Sequence, residues 1–169
     1  PMWGGRDAAG ELTGATMFYD LRDDSWTPGP TLPRPALSHA SAPVGDGWIV
    51  SFGGETTDDA QAGRLLEVRR GEVRYGDVTI TNVHEPAFAT TGDGTLWMVG
   101  YTEPAPGINW RVWRWNETTR TFDDRGGGNS SPNRRKWHSL KDSIGRAYFY
   151  HAGRNDLQRA WLLRMRPGQ

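Results

Sequence analysis

Apolar residues in this chain arrive in short bursts that alternate with polar ones or run on for a few positions, punctuated by glycine and proline. Ile49-Val50-Ser51-Phe52 closes on Gly53-Gly54, Leu96-Trp97-Met98-Val99 on Gly100, and Ala147-Tyr148-Phe149-Tyr150 near Gly153. No window sustains the 3.6-residue spacing of an amphipathic helix, whereas alternation bounded by turn formers marks strands. The clearest stretch predicts an inner strand over His39–Val44, a turn at Gly45–Gly47 and a second strand over Trp48–Gly53. A third strand follows at Arg64–Arg69, and after Arg70-Gly71 an outer strand at Glu72–Tyr75.

The bursts repeat. Gly45-Asp46-Gly47 recurs as Gly92-Asp93-Gly94, and a looser copy is Asp142-Ser143-Ile144-Gly145. Met2-Trp3-Gly4-Gly5 matches the end of the Phe52-Gly53-Gly54 run. A second marker keeps the same period of roughly 50 residues. Tyr19 to Trp26 is echoed by Trp113-Arg114-Trp115 to Phe122, more loosely by Leu66–Val68 to Tyr75, and begins again at Trp161.

The Phe18–Gly54 stretch resembles a kelch repeat. It carries Tyr19-Asp20, Trp26, Pro33-Arg34 ahead of His39, and the closing Gly53-Gly54. The resemblance implies an all-β, kelch-like β-propeller built of four-stranded antiparallel blades around a channel. On that reading residues 1–26 form a partial blade, 36–75 and 84–122 two blades, and 138–169 another partial blade. Three to four blades are fewer than a six- to eight-bladed ring. The chain is therefore expected to be part of a larger ring, or to be completed by a second chain or copy. Trp26, Trp97, Trp113, Trp115 and Phe122 are expected to fill the wedges between blades, each contributing roughly 2–3 kcal/mol when buried.

Composition narrows the function. With 20 Lys+Arg against 20 Asp+Glu the chain has no net field to attract nucleic acid or an anionic membrane. No signal peptide or transmembrane segment is read in these residues, and the compartment is left unassigned. Cysteine is absent, which excludes disulfides, thiolate metal sites and the cysteine–tyrosine chemistry of kelch-bearing radical oxidases within this segment. No cofactor is expected, and no catalytic set is assigned.

In a meander, the connections from second to third strand and from outer strand to the next inner strand share one end. The long connections fall there: Pro28–Leu37, Gly54–Gly63, Tyr101–Asn109, Asp124–Trp137 and Ala152–Arg159. Gly126-Gly127-Gly128 reads as a flexible connector inside one of them. Long loops on a rigid scaffold are where binding residues gather. Arg34, Arg64, Arg134, Arg135 and Arg154 are the candidate ligand-binding cations, since a planar guanidinium suits a carboxylate on a peptide or sugar acid. His39, His84 and His138 lie at or near the starts of inner strands and join them as binding candidates. Three imidazoles on one channel also raise a metal site, but the kelch pattern implies a structural role for that histidine, so none is assigned. The resemblance implies a binding module for a protein or glycan ligand. The alternative is a glycoside hydrolase or lyase working on an acidic sugar through an Arg/His/Tyr site around Arg134–His138, Tyr148, Tyr150 and His151.

Overall fold

The structure, a computed structural model, describes residues 2–33, 35–37, 39–53, 55–56, 64–80, 83–102, 109–129, 137–151 and 161–166. Among them there is no helix, hence none long and apolar enough to cross a membrane. The strands are β1 (Met2–Trp3), β2 (Thr16–Asp20), β3 (Ser25–Pro28), β4 (Ala36–Leu37), β5 (Ala40–Pro43), β6 (Ile49–Phe52), β7 (Glu55–Thr56) and β8 (Arg64–Arg69). They continue with β9 (Glu72–Thr79), β10 (Val83–Thr90), β11 (Leu96–Thr102), β12 (Asn109–Asn116), β13 (Thr121–Asn129), β14 (His138–Lys141), β15 (Ala147–His151) and β16 (Trp161–Met165).

They pair as four antiparallel meanders in chain order: β1-β2-β3, β5-β6-β8-β9, β10-β11-β12-β13 and β14-β15-β16. A short β4–β7 ladder extends the second sheet's inner hairpin beyond Gly53. The sheets pack face to face as a partial β-propeller and do not close into a ring.

Alternation explains the stacking. In β11, Leu96 and Met98 face the second sheet, while Trp97, Val99 and Tyr101 face the fourth, so one strand feeds two cores. The core between second and third sheets joins Val50, Phe52 and Leu65 to Phe88, Met98, Trp113 and Trp115, with Phe122 against it. The next core sets Ala87, Ala89, Trp97 and Val112 against Ala147 and Phe149. Between first and second sheets, Leu32, Trp3 and Phe18 meet Leu66, Val68 and Tyr75. Side chains grow outward: Ala42, Ala87 and Ala89 lie on inner strands, and Trp113 and Trp115 on a third strand.

The repeated turn is one structure used three times. Val44, Thr91 and Asp142 each donate their amide to the carbonyl four residues on, at 3.0, 2.9 and 3.0 Å. The fourth turn residue, Gly47, Gly94 or Gly145, has φ of 72°, 85° or 79°, a left-handed setting that glycine adopts without steric cost. Neighbouring turns touch directly, because the Gly92 amide donates to the Gly145 carbonyl at 2.7 Å.

Three expectations are corrected. Among the described residues Trp26 fills no wedge: it is 51% exposed, beside Tyr19 at 39%, on a sheet face that no other described sheet covers. The related pair Trp115–Phe122 has the same 5.0 Å ring separation but sits within a core. Residues 124–129 are strand rather than loop, and the glycine triplet is part of β13. A Cβ on Gly127 would stand 1.8 Å from the Trp110 carbonyl oxygen, so close approach of β12, not flexibility, accounts for that glycine. The outer strand of the second sheet runs on to Thr79, leaving only residues 80–82 before β10.

Candidate functional site

Strand order fixes the two ends of the molecule. At one end lie the tight turns 44–48, 70–71, 91–95, 117–120 and 142–146. At the other lie the connections 53–63, 103–108, 130–137 and 152–160, together with 4–15 and 29–39. Only 80–82 is short at that end.

The long-connection end receives the candidate residues unevenly. Arg34, Arg134, Arg135 and Arg154 lie outside the described residues. Arg64 opens β8, its Cα opposite Thr79, and His84 stands in β10 opposite Tyr101. His39 precedes β5 and lies flat on Trp3, with ring centroids 5.7 Å apart and planes at 7°. His138 opens β14 and stacks on Tyr150 at 5.1 Å, on the outward face of the fourth sheet with Leu140 and Leu162. Both described imidazoles thus make aromatic contacts. Among the described residues no three His, Asp or Glu side chains gather as a metal site would require.

The tight-turn end carries chemistry that the repeat pattern concealed. A cleft of about 790 Å³ opens between the second and third sheets, lined by Asp46, Asp93 and Glu117 with Arg114 and Arg125 at its side. Two of its carboxylates serve the fold. Asp93 accepts the Thr91 hydroxyl at 2.6 Å and the Thr95 amide at 3.1 Å, and Glu117 accepts the Trp115 indole N–H at 2.6 Å. In the equivalent turn of the fourth sheet, Asp142 accepts the Ile144 and Arg146 amides and the Tyr148 hydroxyl. Desolvation pushes the Asp142 pKa up, but those hydrogen bonds and the Arg146 guanidinium outweigh it and hold the carboxyl below its ordinary value. The hydrogen bond from Tyr19 to the Asp24 carboxylate, with a lesser push from desolvation, raises the phenol's pKa.

Glu67 is the residue the sequence reading missed. It is 1% exposed, on the same face of β8 as Leu65. Its Oε2 accepts Arg74 Nε at 2.6 Å from the adjacent strand and Arg120 at 2.5 Å from the third sheet. Arg74 and Arg69 cover the Trp48 ring at 4.1 and 4.5 Å, with Arg120 at 6.0 Å. The signal was available: in Arg64-Leu65-Leu66-Glu67-Val68-Arg69, period-2 alternation puts a carboxylate at a core position. Its arrangement is that of an inter-sheet staple, because a buried charge stays charged only when paired.

No family model matches the chain. Over 60 residues it is 40% identical to Kelch-like protein 34 of Homo sapiens, a match covering 36% of this chain and 9% of that relative. The similarity indicates a loose kelch-type relationship, carried by about a third of the chain.

Proposed function

We propose that this chain is an interaction module that offers the long-connection end of a β-propeller segment to a protein ligand. The observation that carries the reading is the asymmetry of the two ends: tight turns at one, almost every extended connection at the other. A stacked-sheet scaffold fixes the strand ends from which such connections leave, and so gathers them on one face. The likeness to Kelch-like protein 34 supports the same class of role. Arg34, Arg64, Arg134, Arg135 and Arg154, with His39, His84 and His138, are the side chains we assign to the ligand face. The guanidiniums favour an acidic peptide.

The test pairs an acidic-peptide array with a glycan array, probed with the wild type and with an Arg134→Glu/Arg135→Glu variant. Peptide binding that drops on charge reversal supports the module. Binding confined to acidic glycans, with turnover of a uronic-acid substrate, would replace it with the carbohydrate-active reading.

A further inference from the structure

Glu67 meets more positive charge than it needs. One guanidinium would neutralise a buried carboxylate, yet Arg74 Nε and Arg120 Nη2 both donate to the same oxygen, Oε2. The surroundings keep that imbalance. Arg69, Arg74 and Arg120 gather around the Trp48 ring, and among the described residues the carboxylates paired with them are Glu67 and Glu72, three cations against two anions. In a chain with 20 Lys+Arg and 20 Asp+Glu this is a local excess, not a share of a global one.

The excess is open to solvent. The Glu67 side chain is 2% exposed, whereas those of Arg74 and Arg120 are 43% and 37% exposed. Each guanidinium therefore turns one donor inward to the carboxylate and keeps its remaining N–H groups for what lies outside. Both border a cleft of about 350 Å³ that is lined also by Tyr75, Thr119 and Thr121, with the buried Glu67 at its base. The Thr119 and Thr121 hydroxyls stand 2.7 Å apart, so one donates to the other and the second proton is left to donate elsewhere. The turn itself does not ask for arginine at position 120. Its φ is 53°, and the matching residue of the β2–β3 turn is Asp24 at 48°, a type better suited to this left-handed setting. The two sheets that form the cleft are both complete four-stranded meanders.

We infer that this cleft is a carboxylate-binding site, in which the ligand's oxygens take the outward N–H groups of Arg74 and Arg120 and a threonine hydroxyl. A planar guanidinium presents paired donors that match a carboxylate. A single negative charge balances the excess, whereas a phosphate dianion would exceed it and stand against Glu67. The carboxylate belongs to a free organic acid or to an acidic side chain of a peptide. The site lies beside the tight turn 117–120, away from the connections assigned to a protein ligand, and stands whether or not they bind one.

The probe is sodium acetate, titrated into the full chain at pH 7 and constant ionic strength against a sodium chloride control. The side-chain Nε–Hε resonances of Arg74 and Arg120 are expected to shift saturably, with Kd on the order of 1–10 mM. Glu67→Gln keeps the shape of the side chain and an acceptor for the arginines but removes the opposing charge. It should tighten acetate binding by about 5-fold or more, the effect of a unit charge about 4 Å away in water. Thr119→Val/Thr121→Val leaves both guanidiniums in place and should weaken binding by about 2–10-fold, the loss of a hydrogen bond. N-acetyl-aspartyl amide binding more tightly than acetate identifies a peptide side chain as the source, and equal binding a free acid; the asparaginyl amide should not bind. No saturation beyond the chloride control, phosphate binding more tightly than acetate, unchanged or weaker binding in Glu67→Gln, or indifference to the double valine variant would each overturn it.

Discussion

Gly53 is the sharpest place to ask whether adjacent sheets are in contact as described. Its φ is +74°, and a Cβ there would lie 2.7 Å from Pro86 Cγ and 3.1 Å from Cδ, both in the third sheet. Gly47 supplies the control: φ is +72°, with nothing within 4 Å of a Cβ. Gly47→Ala should therefore cost only the left-handed strain, about 1–2 kcal/mol. Gly53→Ala should cost that plus overpacking against a rigid ring, about 1–3 kcal/mol more. For a domain of this size each kcal/mol lowers Tm by about 2–4 °C, so the two variants should be clearly separated in a thermal or urea melt. Adding Pro86→Ala removes the offending atoms and should recover the overpacking share, read as a coupling energy in a double-mutant cycle. Equal losses for the two glycines, or no coupling to Pro86, would refute close approach of the second and third sheets.

The remaining predictions concern the polar staple, the core and the acid turn. Arg120→Ala should destabilise by about 1–3 kcal/mol in urea melts, because a buried Glu67 loses one of two partners. Glu67→Leu should cost less than Glu67→Ala, since a filled apolar position needs no counter-charge. Phe52→Ala should cost about 3–5 kcal/mol, the loss expected of a fully buried aromatic side chain. Asp142 has a depressed pKa in the folded state, so its contribution is full above the ordinary carboxylate range and disappears as pH falls through the folded value. The Tm difference between wild type and Asp142→Asn should accordingly shrink as pH drops from 7 towards about 3; a difference independent of pH would exclude ionic stabilisation there.

Where sequence and structure agree, the reason is local. Arg64–Arg69 has the same bounds in both because alternation and the Arg70-Gly71 turn mark its end. Where they part, a missing neighbour or a missing side chain is responsible. Trp26 and Phe122 hold the same place in their sheets, yet among the described sheets only Phe122 meets a preceding one, a fact no local pattern encodes. Gly126–Gly128 has no side chains from which strand character could be read, and the close approach of Trp110 is visible only in three dimensions. Glu67 was legible in principle, but one carboxylate in an apolar alternation looks like noise until two arginines converge on it. The candidate ligand residues follow from topology, which orders loops but does not orient side chains.

The outward growth of side chains, from Ala42, Ala87 and Ala89 to Trp113 and Trp115, also determines curvature. Thin near the axis and thick at the rim, each interface is a wedge whose apex angle follows from the volumes of its own residues. Bending is therefore specified pair by pair, and no distant part of the molecule has to dictate it. Enlarging an inner alanine should flatten a single joint and leave its neighbours at their original pitch.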